Sequence, residues 1–485
     1  MRLRELLYKV NIIKICGNND VEVLDINFDS RKIKQGGLFV AIKGENVDSH
    51  NYIQDTILKG ARVIVAEILP NILDENITYV QVKNSKQALG FIASSFYKHP
   101  SEKIKLIGVT GTNGKTTIVT LLYQLFSLLK VKVGMLSTIE NKIEDTVIPS
   151  THTTPDALQI NYLLHKMVKA GCEYCFMEVS SHSVSQQRIS GLHFTAGIFS
   201  NITKDHLDYH KTFDQYIEAK KMFFDFLSED AFAMINLDDK NASKMIEHTQ
   251  AKCFSYSLKS ASDYKCKILE NQFDGMLLNI NNLDIWVKLI GRFNAYNILA
   301  LYATAIELGF SEHDLLTALS MLDTVKGRFE CVQFSGVKAI VDYAHTEDAL
   351  KNVLMTINDI RKQKESLITV LGCGGDRDKQ KRPLMSAIAC KLSDQVIITS
   401  DNPRSEDPES IIQDMLNGLD LQQKKKVLTI TDRRQAIRAA CKLAKSHDII
   451  LVAGKGHEKY QEIKGVKIPF DDLKELEYTF NLNTQ

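Results

Sequence analysis

The feature that most constrains this chain is the run Gly108-Val109-Thr110-Gly111-Thr112-Asn113-Gly114-Lys115-Thr116-Thr117. It follows the apolar pair Leu106-Ile107 and leads into a helical pattern carried by Val119, Leu122, Leu125 and Phe126. A glycine-rich turn between a buried strand and a helix aims backbone N–H groups and the helix N-terminus at one point, where an anion is stabilised. Lys115 is then spaced to reach β- and γ-phosphates, and Thr116 to offer a hydroxyl to Mg²⁺. One position departs from the usual phosphate-loop pattern, because Val109 stands where a first glycine is expected. The bland alternative is a tight strand–helix turn with a solvated lysine.

The rest of the chain repeats this strand–helix alternation. In 485 residues, at roughly 150 per domain, there is room for about three domains. Up to about residue 102, short apolar runs such as Leu38-Phe39-Val40-Ala41-Ile42 and Val63-Ile64-Val65-Ala66 alternate with helical patterns, and His99-Pro100-Ser101 reads as a break. A second segment, 103–327, carries helical patterns at 157–170 and 213–227 and a strand at 174–179. Residues 252–290 alternate polar and apolar and predict an antiparallel insertion. A third segment, 328–485, repeats strand and helix from Ala339-Ile340-Val341 through Ile449 to Val452. Such units predict an α/β fold with parallel, doubly wound sheets and binding sites at the carboxyl ends of the strands.

Composition removes several function classes. Sixty Lys and Arg against 59 Asp and Glu leave a net charge of +1, so no global field draws the chain to nucleic acid or a membrane surface. No apolar run approaches the roughly 18 residues of a membrane span. The start, Met1-Arg2-Leu3-Arg4-Glu5, does not read as a signal peptide. Nine scattered cysteines fit reduced thiols in a cytoplasm, and Cys172 and Cys175 read as buried structural thiols rather than a redox or zinc pair.

Several other residues are candidates for chemistry. Glu178 ends an apolar strand and is followed by Val179-Ser180-Ser181-His182; it reads as a hard-oxygen Mg²⁺ ligand or as a capping carboxylate. His206, in Asp205-His206-Leu207-Asp208, is balanced between a site residue and a satisfied structural histidine. The pattern around Lys220 makes it an exposed helix lysine. In the third segment, Gly372-Cys373-Gly374-Gly375-Asp376-Arg377-Asp378 follows a strand and offers amides and a guanidinium to an anion. Asp401-Asn402-Pro403-Arg404 follows another and can hold a zwitterion, or is simply a proline-stiffened turn. Gly454-Lys455-Gly456-His457-Glu458 adds a carboxylate after a third strand.

Taken in order, these motifs resemble the Mur ligase family over essentially the whole chain. The carriers are Gly111 to Thr117, Glu178 to His182, Asp205 to Asp208, Gly291-Arg292-Phe293-Asn294 to Asn297, Gly327-Arg328-Phe329-Glu330, Asp342-Tyr343-Ala344-His345-Thr346 and Gly374 to Asp378. Within the family, Asp29-Ser30-Arg31, Thr153-Thr154-Pro155 and Asp401 to Arg404 resemble the enzymes that add the third amino acid. Asp48-Ser49-His50 departs from the Asp-Gly-His of many relatives.

The resemblance implies an ATP-dependent amide ligase acting on UDP-N-acetylmuramoyl-L-alanyl-D-glutamate through an acyl phosphate, in the cytoplasm, with Mg²⁺. It implies an N-terminal uridine-nucleotide domain (1–102), a central ATP-binding domain (103–327) and a C-terminal Rossmann-like amino-acid domain (328–485). Ser30, Thr153, Thr154, Ser180, Gln186 and Arg188 would meet the nucleotide substrate. Gly111, Thr112, Asn113, Gly114, Lys115, Thr116, Thr117, Asn297, Arg328 and Asp342 would hold ATP. Thr116, Glu178, His206 and Lys220 would serve Mg²⁺, with Lys220 carboxylated by carbon dioxide, and Lys115, Lys220, His206 and Glu178 would carry the catalysis. Arg377, Asp401, Asn402, Pro403, Arg404, Gly454 and Glu458 would select meso-diaminopimelate, whose second carboxylate Arg404 would hold. The same reaction with L-lysine, folylpolyglutamate synthesis and a P-loop switch without ligation are the competing readings.

Overall fold

The structure is a computed structural model and describes residues 1–44 and 47–483. Glu45 and Asn46, in the first predicted segment, and Thr484 and Gln485, at the end of the third, lie outside the described residues.

Three sheets of five or more strands, and a two-stranded hairpin of Tyr460–Ile463 with Val466–Pro469, organise the described residues. The first has five strands in the order Ile12–Cys16, Thr78–Val82, Ala61–Ala66, Gly37–Val40, Ile26–Asn27; all pair in parallel except the Ile12–Cys16 edge. Ser49 fastens the loop beyond Gly37–Val40, its hydroxyl accepting from Ile42 N at 2.6 Å and donating to Ile42 O at 2.8 Å. A glycine there could make neither bond, which gives the departure at Ser49 a structural reason.

The central sheet has eleven strands. From one edge the order is Leu283–Val287, Gly275–Ile280, Tyr264–Gln272, Lys252–Ser257, Phe232–Asn236, Ala196–Phe199, Lys105–Thr110, Tyr174–Glu178, Val133–Leu136, Glu140–Ile143, Thr146–Pro149. Only part of the insertion predicted as antiparallel is so. Lys252–Ser257 pairs in parallel with Phe232–Asn236, and antiparallel pairing begins between Tyr264–Gln272 and Gly275–Ile280. A strand with one face on the core alternates polar and apolar whatever its direction. Here Lys252 and Cys253 are exposed while Tyr256 is buried, so the alternation marked a half-buried strand, not its orientation.

The third sheet runs Glu330–Phe334, Val337–Asp342, Ile449–Ala453, Leu367–Leu371, Gln395–Ile398, Val427–Thr429, with only the first strand antiparallel. Both large sheets are covered on two faces, and strand residues alternate between cores. Tyr174 and Phe176 join the core under the helices Lys115–Leu128 and Arg292–Glu307, while Cys175 and Met177 join the core under Ala157–Ala170 and Phe213–Asp225. Such double burial is why these strands read as continuous apolar runs.

The register matters more for function than the strand count. Thr110 lies beside Phe199, Val109 beside Glu178, and Met177 beside Leu136. The loops leaving these strands therefore share one rim. In the third sheet Ala453 lies beside both Asp342 and Leu371, and Leu371 beside Ile398. The loops that start at Tyr343, Gly372, Thr399 and Gly454 form a second rim.

Candidate active site

The phosphate loop starts later than its motif suggests. Val109 is fully buried in the Lys105–Thr110 strand, so the turn opens at Gly111 and the departure from the usual pattern is a strand residue. At Gly111, φ +151°, a Cβ would stand 1.9 Å from Ser200 Oγ. At Gly114, φ +90°, it would stand 2.9 Å from Asn297 Oδ1. Glycine is thus required at both places, for conformation and for close approach. Ser200 Oγ donates to Asn113 O at 2.6 Å, and Asn113 N donates to Asn201 Oδ1 at 3.0 Å. The loop is thus held by side chains of the segment that follows the Ala196–Phe199 strand.

Two lysines converge on it. Lys115 Nζ donates to Gly111 O at 2.8 Å and Thr112 O at 2.9 Å; Lys220 Nζ donates to Gly111 O at 2.7 Å. The exposed helix lysine expected from the pattern is therefore wrong, for Lys220 is buried. Tyr216, Lys220 and Phe223 lie at helical spacing on the face of Phe213–Asp225 that packs inward. Burial and then the charge of Lys115 push the Lys220 amine well below its ordinary range. A neutral amine is the form that adds carbon dioxide.

Glu178 is fully buried and accepts from Thr116 Oγ1 at 3.0 Å, from Thr138 N at 2.7 Å and from Thr138 Oγ1 at 3.2 Å. Among the described residues no three His, Cys, Asp or Glu side chains cluster as a metal site. A phosphate-bound Mg²⁺ does not need one, because it takes one or two carboxylates together with phosphate and water oxygens. The Thr116 hydroxyl and Glu178 carboxylate, adjacent at the phosphate loop, fit that donor set.

His206, in the left-handed region at φ 53° and half-buried, lies with Nε2 3.5 Å from Asp205 Oδ2 and its ring 4.9 Å from that of His182. Burial pushes its pKa down to about 4.

The residues expected to meet the nucleotide substrate gather beside Glu178, apart from Ser30. Thr154 Oγ1 donates to Glu178 O at 2.7 Å and accepts from Ser180 N at 3.1 Å. Arg188 Nη1 donates to Thr154 O at 2.7 Å and Nε to Gln186 Oε1 at 3.0 Å. Thr153 accepts from Thr138 Oγ1 at 3.1 Å. Thr138, which the sequence reading missed, thus bridges Glu178 to Thr153. Its local sequence, two residues beyond the strand Val133–Leu136, carries no motif that points to it. Ser30 lies in the first unit, just beyond Ile26–Asn27, where its carbonyl accepts from Lys59 Nζ at 3.0 Å.

The second rim closes over the first. Arg328 Nη2 donates to Thr116 Oγ1 at 3.2 Å, its guanidinium lies 4.6 Å from the Tyr343 ring centre, and its buried Nε has no partner in the structure. Asp342 accepts from Phe329 N and Ala344 N, both at 2.7 Å, and burial pushes its carboxyl up. Asn297, near the loop through Gly114, takes its orientation from Asn294, to which it donates at 3.0 Å.

Beyond Arg328, the Asp401 to Arg404 turn is locked to its neighbours. Gly375 N donates to Asn402 O at 2.9 Å and Arg404 Nη1 to Gly375 O at 2.6 Å. Arg404 itself is left-handed at φ 52°, a conformation that a non-glycine residue holds only when its surroundings impose it. A Cβ on Gly375 would stand 1.9 Å from Pro403 O, and one on Gly454 2.6 Å from Asp401 Oδ2. Asn402 Nδ2 donates to Glu458 Oε2 at 2.7 Å. Arg377 lines a cleft of about 310 Å³ together with Asp208 and Glu406, so it faces the central unit.

Comparisons with known proteins agree with this architecture. Family models for the Mur ligase family catalytic domain, the Mur ligase middle domain and the Mur ligase glutamate ligase domain match residues 23–97, 109–305 and 327–456. The chain is 55% identical over 481 residues to a UDP-N-acetylmuramoyl-L-alanyl-D-glutamate--2,6-diaminopimelate ligase of Cytophaga hutchinsonii, covering 98% of this chain and 99% of that one. A protein of the same name from Bacteroides fragilis is 53% identical over 99% of this chain and all of its own. A solved structure of a ligase of that name superposes with a TM-score of 0.71 at 33% identity, over all of this chain and 99% of that one.

Proposed function

The chain belongs to the Mur ligase family, and we propose that it is the ATP-dependent ligase joining meso-2,6-diaminopimelate to UDP-N-acetylmuramoyl-L-alanyl-D-glutamate in peptidoglycan synthesis. The observation that carries this reading is the junction of the two rims. The phosphate loop and the rim bearing Asp401 to Arg404 are joined by Arg328 to Thr116 and by Asn113 to Asp348, at 3.2 and 3.1 Å. Phosphoryl donor and amine acceptor are thereby brought to one place. A switch without ligation has no use for the second rim, and a match to a further family domain at 23–97 supports a nucleotide-substrate unit.

Residues 1–102 serve as the nucleotide-substrate unit, with Ser30 at its rim, 103–327 as the ATP unit and 328–485 as the amino-acid unit. Thr153, Thr154, Ser180, Gln186 and Arg188 orient the D-glutamyl end. Lys115 and the loop amides neutralise the γ-phosphoryl as it passes to the carboxylate, Asn297, Arg328 and Asp342 fix the rest of ATP, and electrostatic positioning is most of the catalysis. A bound Mg²⁺, held by Thr116 and Glu178 with His206 and carboxylated Lys220 around it, would draw charge from the phosphate oxygens. The incoming amine then attacks the carbonyl carbon of the acyl phosphate, the tetrahedral intermediate expels inorganic phosphate as the amide forms, and the amine's proton goes to solvent. Arg404 and Arg377 hold the distal carboxylate, and Asp401, Asn402 and Glu458, in the loop set by Pro403 and Gly454, hold the ammonium beside it. L-Lysine has the ammonium but lacks the carboxylate beside it, so it would leave the Arg404 guanidinium uncompensated next to another cation and is penalised. No described helix is long and apolar enough to cross a membrane.

The test is phosphate release with Mg-ATP and UDP-N-acetylmuramoyl-L-alanyl-D-glutamate, with meso-diaminopimelate against L-lysine. Release with diaminopimelate alone, and a matching mass gain in the nucleotide, is expected. Release with lysine alone overturns the pocket, and silence with both overturns the reaction.

A further inference from the structure

The loop after Ile449–Ala453 buries a cation in the amine-substrate rim. Lys455 is flanked by Gly454 at φ +115° and Gly456 at φ +52°, conformations that turn the intervening side chain inward at little steric cost. Its side chain has no exposed surface. Nζ donates to Asn402 Oδ1 at 3.0 Å and to Glu458 Oε2 at 3.1 Å. Asn402 Oδ1 also accepts from Glu462 N at 2.9 Å, which fixes the amide so that Nδ2 meets Glu458 Oε2. The Glu458 side chain keeps 16% exposure. The carboxylate is thus open to a ligand from which the lysine is shut away.

We propose that Lys455 is a positioning residue of the amine-substrate pocket, whose buried ammonium holds the Asn402 amide and the Glu458 carboxylate aimed at the amino group of the incoming diamino acid. The inference rests on the reading of this rim as the amine site. A buried cation is tolerated only when paired and hydrogen-bonded, and both acceptors of Lys455 are residues that line the rim. The surrounding charges explain why a cation is needed. Glu458 faces Asp401 across the pocket, Lys455 beneath it, Arg433 of the helix Arg433–Leu443 and the Tyr343 phenol. Burial and Asp401 both push the Glu458 carboxyl up, and Lys455 opposes them. Without the lysine, the Asn402 hydrogen bond is left to oppose the burial of Glu458 and the charge of Asp401, and the charged form that meets an ammonium ion is weakened.

Steady-state kinetics of the full chain separate this from a merely structural role. Lys455→Met is expected to raise KM for meso-diaminopimelate about tenfold or more, with KM for Mg-ATP and for the nucleotide substrate changed by about twofold at most. Because the lysine acts through Glu458, adding Lys455→Met to Glu458→Gln should raise that KM no further. Should the single variant fail to fold, Glu458→Gln against the double variant, in which cation and anion leave together, makes the same comparison. An unchanged KM for diaminopimelate, an equal rise for all three substrates, or effects that multiply in the double variant would each overturn the proposal. Wild-type enzyme that releases no phosphate with diaminopimelate would instead overturn the proposed reaction.

Discussion

The Asn113 side-chain amide donates a 3.1 Å hydrogen bond to the Asp348 carboxylate. Asn113 belongs to the phosphate loop and Asp348 to the first turn of Glu347–Ile360, in the third unit. The bond therefore holds the phosphate-loop rim against the third unit. A hydrogen bond to a charged group contributes about 1.5–3 kcal/mol, and about 1.4 kcal/mol is tenfold in affinity. Asp348→Ala is expected to weaken ATP binding about tenfold by titration calorimetry. Unchanged affinity would mean that the units hold together over ATP without this contact.

Glu178 accepts three hydrogen bonds, from Thr116 and twice from Thr138, and Glu178→Gln keeps the shape while removing the charge. Turnover is expected to fall by on the order of 10² or more, with a rise in the Mg²⁺ concentration needed for half-maximal rate. The far-ultraviolet circular dichroism should stay as in the wild type. A variant with normal Mg²⁺ dependence would remove Glu178 from the metal site.

Arg382 and Glu406 join the loop bearing Arg377 to the turn bearing Arg404. Arg382, fully buried, donates to both Glu406 oxygens at 2.8 and 3.0 Å, and Asp376 N donates to Glu406 Oε1 at 2.6 Å. The Arg382 hydrogen bonds lower the Glu406 carboxyl from 4.5 to about 2. A carboxyl depressed on folding adds stability that is fully present above its unfolded value and lost as the pH falls towards its folded one. The urea midpoint of the wild type should therefore fall more steeply between pH 4.5 and about 2 than that of Glu406→Gln. Parallel curves would show that the pair adds nothing to stability.

Much of this fold was legible because burial imposes period. Strands covered on both faces must be apolar throughout, so Tyr174–Glu178, Leu367–Leu371 and Ile449–Ala453 stood out of the sequence. The direction of Lys252–Ser257 did not, since alternation reports which face is buried and not which way the chain runs. Lys220 was misread from its neighbours, Ala219 and Lys221, because the helix pattern alone does not show how deep a face is buried. Its partner, Gly111 O, is 109 residues away. Thr138 was invisible for the same reason: Glu178, to which it donates, is 40 residues away and is brought to it only by the fold.

Arg433 and Asp472 form an ion pair with no exposed surface on either side chain. Arg433 Nε and Nη2 donate to the two Asp472 oxygens at 2.8 Å each, and Nη2 also donates to Ala453 O at 3.1 Å, one residue before Gly454. The pair ties the helix Asp472–Asn483 to the strand end that carries the Gly454 to Glu458 loop. Taking two charges out of water is costly, so the pair as a whole adds little, but losing one partner leaves an uncompensated buried charge. Asp472→Ala is expected to destabilise the chain by about 3–5 kcal/mol in urea unfolding. Replacing both residues, Arg433→Met with Asp472→Leu, should cost less than the single change, because no charge is then left unpaired. If the double variant is instead the less stable, the pair with its hydrogen bonds is a net source of stability.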